Sequence, residues 1–354
     1  MKKHNFSAGP SILPASVMER ASEAIKELDG IGLSLIEISH RSKEFIAIMD
    51  KAQALALELT GLTDKGYQAL FLQGGASTQF LMAAINLMKT KAGYINTGAW
   101  SDKAIKEAKR YGEVVEIASS KDQNFNYIPK GAEIPSNLDY LHITTNNTIF
   151  GTQFHHLPET NVPLIADMSS DIFSREIDYS AFDLFYAGAQ KNMGPAGTTL
   201  VIVKDSLLEQ MNKDVPSMLS YAIHADKGSM FNTPPVFAIY TSMLTLEWLK
   251  GQGGIKAIEK HNTTKAQLIY DEIDRNTAFE GFAAKEDRSF MNATFNLAEG
   301  VDGTLFDKLW NQTDISGLKG HRSVGGYRAS IYNALPLASV HQLVEVMQQF
   351  EKSI

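Results

Sequence analysis

Short apolar runs alternate with amphipathic stretches along most of the chain. Apolar positions recurring every three to four residues predict helices over 14–28, 42–59 and 100–111, and another from about Ser77. Pro14 opens the first and Asp29-Gly30 follows it, as helix ends favour. Compact apolar runs predict strands over 67–72, 92–96, 113–118, 138–144, 163–167, 182–187 and 199–203. Strands alternating with helices imply βαβ units, hence an α/β fold with a mainly parallel seven-stranded sheet covered on both faces. After Lys250 the texture changes. Gly251-Gln252-Gly253-Gly254 reads as a hinge. A long helix over 255–276 follows, with strands over 290–297 and 326–332 and helices over 304–311 and 337–353, a smaller α+β unit. The expected organisation is a large domain over 16–250 and a small domain over 251–354, completed by residues 1–15.

Composition narrows the chemistry. The 33 basic and 40 acidic side chains give a net charge of -7, which disfavours nucleic acid or an anionic membrane as partner. With no cysteine there is no disulfide, thiolate zinc site, iron–sulfur cluster or thiol nucleophile. No apolar run reaches the length of a membrane span, and the basic start lacks a signal core, so a soluble cytoplasmic protein is expected.

Three segments could carry a reaction. In 185–197 an apolar strand runs into small residues, then Lys191, then a Gly-Pro-Ala-Gly turn. A lysine at the rim of such a sheet, partly buried, has a lowered pKa and becomes a usable nucleophile. Taken alone, it is as readily a solvated loop lysine. Asp167 ends the run Pro163-Leu164-Ile165-Ala166-Asp167, one strand earlier. Alone it is as readily a turn-forming Asp before Ser169 and Ser170. Together the two suit pyridoxal phosphate, which needs an amine for a Schiff base and a carboxylate beside its ring nitrogen. Gln73-Gly74-Gly75-Ala76-Ser77-Thr78-Gln79 joins a strand to a helix and could hold a phosphate by backbone N–H groups, or be an ordinary tight turn. It is neither GxGxxG nor a Walker A loop, which counts against a dinucleotide oxidoreductase.

The lysine segment, with Asn5-Phe6-Ser7-Ala8-Gly9-Pro10, Ser39-His40-Arg41-Ser42-Lys43-Glu44-Phe45, the 228–235 stretch and the long 318–334 stretch, resembles the phosphoserine aminotransferase family from end to end. The resemblance implies a class V enzyme of fold type I, working as a homodimer with pyridoxal 5'-phosphate. The expected reaction is reversible amino transfer between L-glutamate and 3-phosphohydroxypyruvate, giving O-phospho-L-serine and 2-oxoglutarate in serine biosynthesis. The analogous step to 4-phosphohydroxy-L-threonine in vitamin B6 synthesis is expected too. By the same resemblance Lys191 bears the cofactor and moves the proton, Asp167 meets the ring nitrogen, and Trp100 lies on the ring face. Thr148 and Gln190 support the ring, and Ala76 and Ser77 hold the phosphate. Asn232 and Thr233 reach that phosphate from the partner subunit. Arg41 is expected to bind glutamate and Arg328 the α-carboxylate. His40, His321 and Arg322 are candidates for the distal phosphate or carboxylate. No metal is expected. Two residues depart from common patterns: Ser77, where some members carry a basic residue, and Asn147, where an acidic residue is common.

Overall fold

A computed structural model describes residues 3–322 and 324–354. The central sheet has seven strands: β1 (Tyr67–Leu72), β2 (Lys91–Asn96), β3 (Glu113–Ser119), β4 (Leu141–Thr144), β5 (Leu164–Asp167), β6 (Leu184–Gly188) and β7 (Thr199–Lys204), in the order β1-β7-β6-β5-β4-β2-β3. Six run the same way. β7 is antiparallel to both of its neighbours, β1 and β6. The mainly parallel sheet expected from the sequence is thus present, with one reversed strand that apolar content alone could not reveal.

Period-two alternation puts Ile143, Ala166, Phe185 and Ile202 on one face and Ile165, Leu184, Tyr186 and Val201 on the other. The first face is covered by α1 (Ala15–Lys26), α2 (Lys43–Leu59) and α5 (Val236–Gly251), the second by α3 (Gly75–Leu87) and α4 (Ala99–Ala108). Helix α2 starts where Ser42 caps it, accepting the Phe45 N–H at 3.3 Å. Helix α5 has no sequence expectation, because its apolar residues lack a one-sided stripe: every position from Ala238 to Leu246 is buried.

The anticipated hinge is a two-residue turn, Gln252-Gly253, and Gly253 and the first helical residue after it, Gly254, both take positive φ. Beyond it lie α6 (Gly254–Arg275), α7 (Thr304–Gln312) and α8 (Leu337–Glu351), packed on a sheet of β8 (Phe279–Gly281), β9 (Asn292–Leu297) and β10 (Tyr327–Ser330). These share an apolar core of their own with Phe6 from the N-terminal segment. His4 and Asn5 reach it by pairing in parallel with Ile315 and Ser316.

Strands β1, β2, β4, β5 and β6 all end at one edge of the large sheet. Leu72, Asn96, Thr144, Asp167 and Gly188 end their strands there, the rim where open α/β sheets hold ligands.

Candidate active site

Asp167 closes β5 opposite Thr144 on one side and Tyr186 on the other, two residues before β6 ends at Gly188. It is 4% exposed, and Oδ1 accepts the Ser169 N–H at 2.9 Å. Burial raises its pKa, while the Lys191 charge pulls it back down. The turn after it is pinned through Asp171, which accepts from Thr145 and Gln153 and pairs with Arg175 at 3.3 Å.

Lys191 stands in the loop between β6 and β7. Its Nζ donates to Thr148 Oγ1 at 2.8 Å and lies 5.6 Å from the centre of the Trp100 ring. Desolvation lowers its pKa to about 8; Asp167 opposes that shift and Arg328 reinforces it. Part of the amine is therefore unprotonated near neutral pH, the form that attacks a carbonyl. The loop is buttressed by the N-terminal segment. Ser11 N–H donates to Gln190 O at 2.9 Å, and the Ser11 hydroxyl donates to Lys191 O. Gly9 has φ +151°, and a Cβ there would come within 3.4 Å of Lys191 Cγ, so the chain passes closely beside the lysine stem. The Gln190 side chain folds back over Gly188.

Thr148 is the junction of the site. Its hydroxyl accepts from Lys191, and its carbonyl accepts from Arg328 Nη1 at 3.2 Å. Arg328 comes from β10, opposite Thr294 of β9. Its Nε and the Trp100 Nε1 are buried donors with no hydrogen-bond partner among the described residues. Unsatisfied donors beside an amine mark a place built for an anionic or polar ligand. Asn147 next door is buried; it donates from Nδ2 to Thr152 Oγ1 at 2.9 Å. That contact does not explain the amide, since the Thr152 hydroxyl could equally donate to a carboxylate.

Helix α3 begins at Gly75, two residues earlier than expected, because Gly74 takes a left-handed φ of 94°. A side chain there would collide with Thr78. Ala76 and Ser77 therefore lie in the first turn, where free N–H groups and the helix dipole suit a phosphate. Within the same chain, Gln73 Nε2 donates to Thr233 O at 2.8 Å. Asn232 joins Gln73, Gly74 and Thr78 in lining a cavity of about 290 Å³.

His321 follows Gly320 in the turn before β10, where its carbonyl accepts from Val324 and Gly325 at 2.9 Å. Val324 packs against the cluster of Phe125, Ile149 and Phe150, as Trp100 does. Burial and the charges of Arg328, Arg322 and Lys103 depress the His321 pKa. Arg322 is exposed. Arg41 is exposed and His40 half-buried, just ahead of α2; no described contact joins either to Lys191, Thr148 or Arg328. The chain thus brings Trp100, Thr148, Asp167, Gln190, Lys191 and Arg328 to one place. Sequence reasoning did not single out Tyr332, whose hydroxyl donates to Ala8 O at 2.8 Å, or Asn192 beside Lys191; their only signal was membership of the matched stretches.

A parallel sheet with one reversed strand, bearing a lysine and a carboxylate at its rim, defines an aminotransferase scaffold. The family model described as aminotransferase class-V matches residues 3–343, and the chain belongs to that family. It is 62% identical to the phosphoserine aminotransferase of Flavobacterium johnsoniae, over the whole of both chains. Among solved structures it matches a phosphoserine aminotransferase studied for radiation damage of its Schiff base, at 47% identity, full coverage of both chains and TM-score 0.97. It also matches the PLP-bound phosphoserine aminotransferase of Trichomonas vaginalis at 34% identity and TM-score 0.92, covering 98% of this chain and 100% of that one.

Proposed function

We propose that the protein is a pyridoxal-phosphate aminotransferase that exchanges an amino group between O-phospho-L-serine and 2-oxoglutarate, reversibly. The observation that carries this reading is the Lys191 amine, held 2.8 Å from Thr148 with a pKa of about 8, on a chain that matches phosphoserine aminotransferases from end to end. The residues present fit the cofactor. Lys191 supplies the amine, Asp167 a buried carboxylate, Trp100 an aromatic wall, and the first turn of α3 with Ala76 and Ser77 a phosphate cradle. When bound, the cofactor withdraws electrons from the substrate α-carbon.

The side chains do the rest. Arg328, its Nε unsatisfied, offers a fork to the α-carboxylate. The free Lys191 amine takes the α-proton and returns it at the other end of the transfer; the burial that lowers its pKa favours the unprotonated form that accepts a proton. Asp167, as a carboxylate, holds the ring nitrogen protonated. Gln190 and Thr148 steady the ring. His40, Arg41, His321 and Arg322 supply cationic or hydrogen-bonding groups for the distal phosphate or the glutamate side chain. Asn232 and Thr233 complete the phosphate site of a second copy, so the working unit is a homodimer.

The same reading assigns residues 16–250 to a cofactor domain, and 251–354 with 1–15 to a small domain. Their separate apolar cores support that division. It also places the enzyme in the cytoplasm; among the described residues no helix is long and apolar enough to cross a membrane. A second substrate, 4-phosphohydroxy-L-threonine, presents the same carboxylate and phosphate. The test is a side-by-side assay of phosphoserine, 4-phosphohydroxythreonine, serine and alanine with 2-oxoglutarate. The reading expects the phosphorylated pair to be strongly preferred, and equal rates with serine or alanine would exclude it.

A further inference from the structure

Behind Arg328 the chain leaves β10 through Ile331-Tyr332-Asn333, and polar groups along this tripeptide are tied down. Lys265 of α6 is wholly buried and donates from Nζ to the carbonyls of Ile331 at 2.9 Å and Tyr332 at 2.6 Å. Burial pushes its pKa well below the usual lysine range. An uncharged amine still has two N–H bonds for two carbonyls, so no counter-ion is needed. One turn earlier, Asn262 Nδ2 donates to Asn333 Oδ1 at 2.8 Å and to Ser174 O at 2.9 Å. Asn333 Nδ2 donates to Phe173 O at 3.0 Å, and its backbone N–H donates to Asn192 Oδ1 at 3.1 Å.

The tripeptide is therefore fastened to both flanks of the lysine. The Asn333 backbone N–H holds Asn192, the residue after Lys191, and the Asn333 side chain fixes that backbone through Phe173 and Asn262. Tyr332 holds Ala8, the residue before the Gly9 that passes the lysine stem. Arg328 and Lys191 come from separately packed parts of the chain, and near the amine both bond to Thr148. The Asn333 side chain has both its amide oxygen and its amide nitrogen bonded, which leaves it few alternative geometries.

We propose that Asn333, backed by Asn262 and with Lys265 fixing the two carbonyls before it, is a positioning residue that sets the Arg328 guanidinium at its working distance from Lys191. This rests on the reading of Arg328 as the carboxylate clamp. Arg328 acts on the lysine through its charge, which helps depress the amine, so their separation can be read from the amine's titration.

The experiment uses Asn333→Ala, Arg328→Met and the parent protein, full length. In the cofactor-free form, modification of Lys191 by trinitrobenzenesulfonate is followed against pH by peptide mapping. Asn333→Ala is expected to raise the midpoint towards that of Arg328→Met. In the holoenzyme it should raise KM for the amino donor by about tenfold, with a smaller loss in kcat. If Asn333→Ala does not accumulate as folded protein, Asn262→Ala removes the neighbouring support and carries the same comparison. A folded variant with the parent's midpoint and KM overturns the proposal and leaves the network a purely structural one. The amine titration needs no substrate, so a parent enzyme inactive on phosphoserine would remove the proposed function without deciding this result.

Discussion

Thr148 joins Lys191 to Arg328: its hydroxyl accepts from the lysine amine at 2.8 Å while its own carbonyl accepts from the arginine at 3.2 Å. One residue thus touches both the group that would move the proton and the group that would hold the substrate. Thr148→Val keeps the carbonyl and removes the hydroxyl. It is expected to lower kcat about tenfold while changing KM little, as read from steady-state kinetics.

Lys191→Ala is expected to abolish turnover and leave protein that still folds and can still take up cofactor non-covalently. Turnover near the parental rate would exclude Lys191 as the proton-moving base.

The lowered lysine pKa has a defined consequence for stability. In the folded cofactor-free protein the amine titrates near 8, below its unfolded value, so between about 8 and 10.5 the unfolded chain binds more protons. Stability from this group therefore rises with pH across that window, and below it the buried charge is a cost. Lys191→Met should stabilise the cofactor-free protein at pH 7 by about 1–2 kcal/mol, discounted for partial solvent access. The gain should fade above pH 10. Denaturant melts at several pH values measure it; a gain independent of pH would contradict the assignment.

Asp167→Asn keeps the shape of the side chain and removes the charge that would hold a ring nitrogen protonated. A fall in kcat of about 100-fold, with cofactor still bound, is expected. Retained kcat would mean that Asp167 serves the turn through Ser169 rather than the cofactor.

Asn232 and Thr233 lie near Gly74 of their own chain, yet the proposed role has them serve another copy. Mixing inactive Lys191→Ala with an inactive Asn232→Ala/Thr233→Ala variant decides between these. If the residues act across the dimer, a mixed dimer holds one intact site, and activity returns to a sizeable fraction of the parent's. If they act within their own chain, no site in the mixture is complete and activity stays low.

The seven strands were legible because apolar runs end at residues such as Asp167 and Gly74 that cannot continue them. Two kinds of feature were not. Helix α5 hides because burial on all sides erases its stripe, and the reversal of β7 hides because an apolar run has no direction. At the site, Lys191 and Asp167 could be singled out from their place after strands. Lys265 could not: its sequence neighbours describe an ordinary amphipathic helix, and only the fold shows its amine facing two carbonyls. His40 and Arg41 rest on family likeness alone, since no contact among the described residues draws them inward.

The reversed strand has a mechanical consequence. Because β7 returns beside β6, the loop bearing Lys191 is moored at both banks, with Gly188 facing Thr199 in the ladder and Ala189 N–H bonded to Thr198 O at 3.1 Å. Such a span cannot swing like a flap. Any travel the amine makes between cofactor and substrate must come from rotation about its own four methylene groups. The backbone serves as the pier and the side chain as the only moving arm.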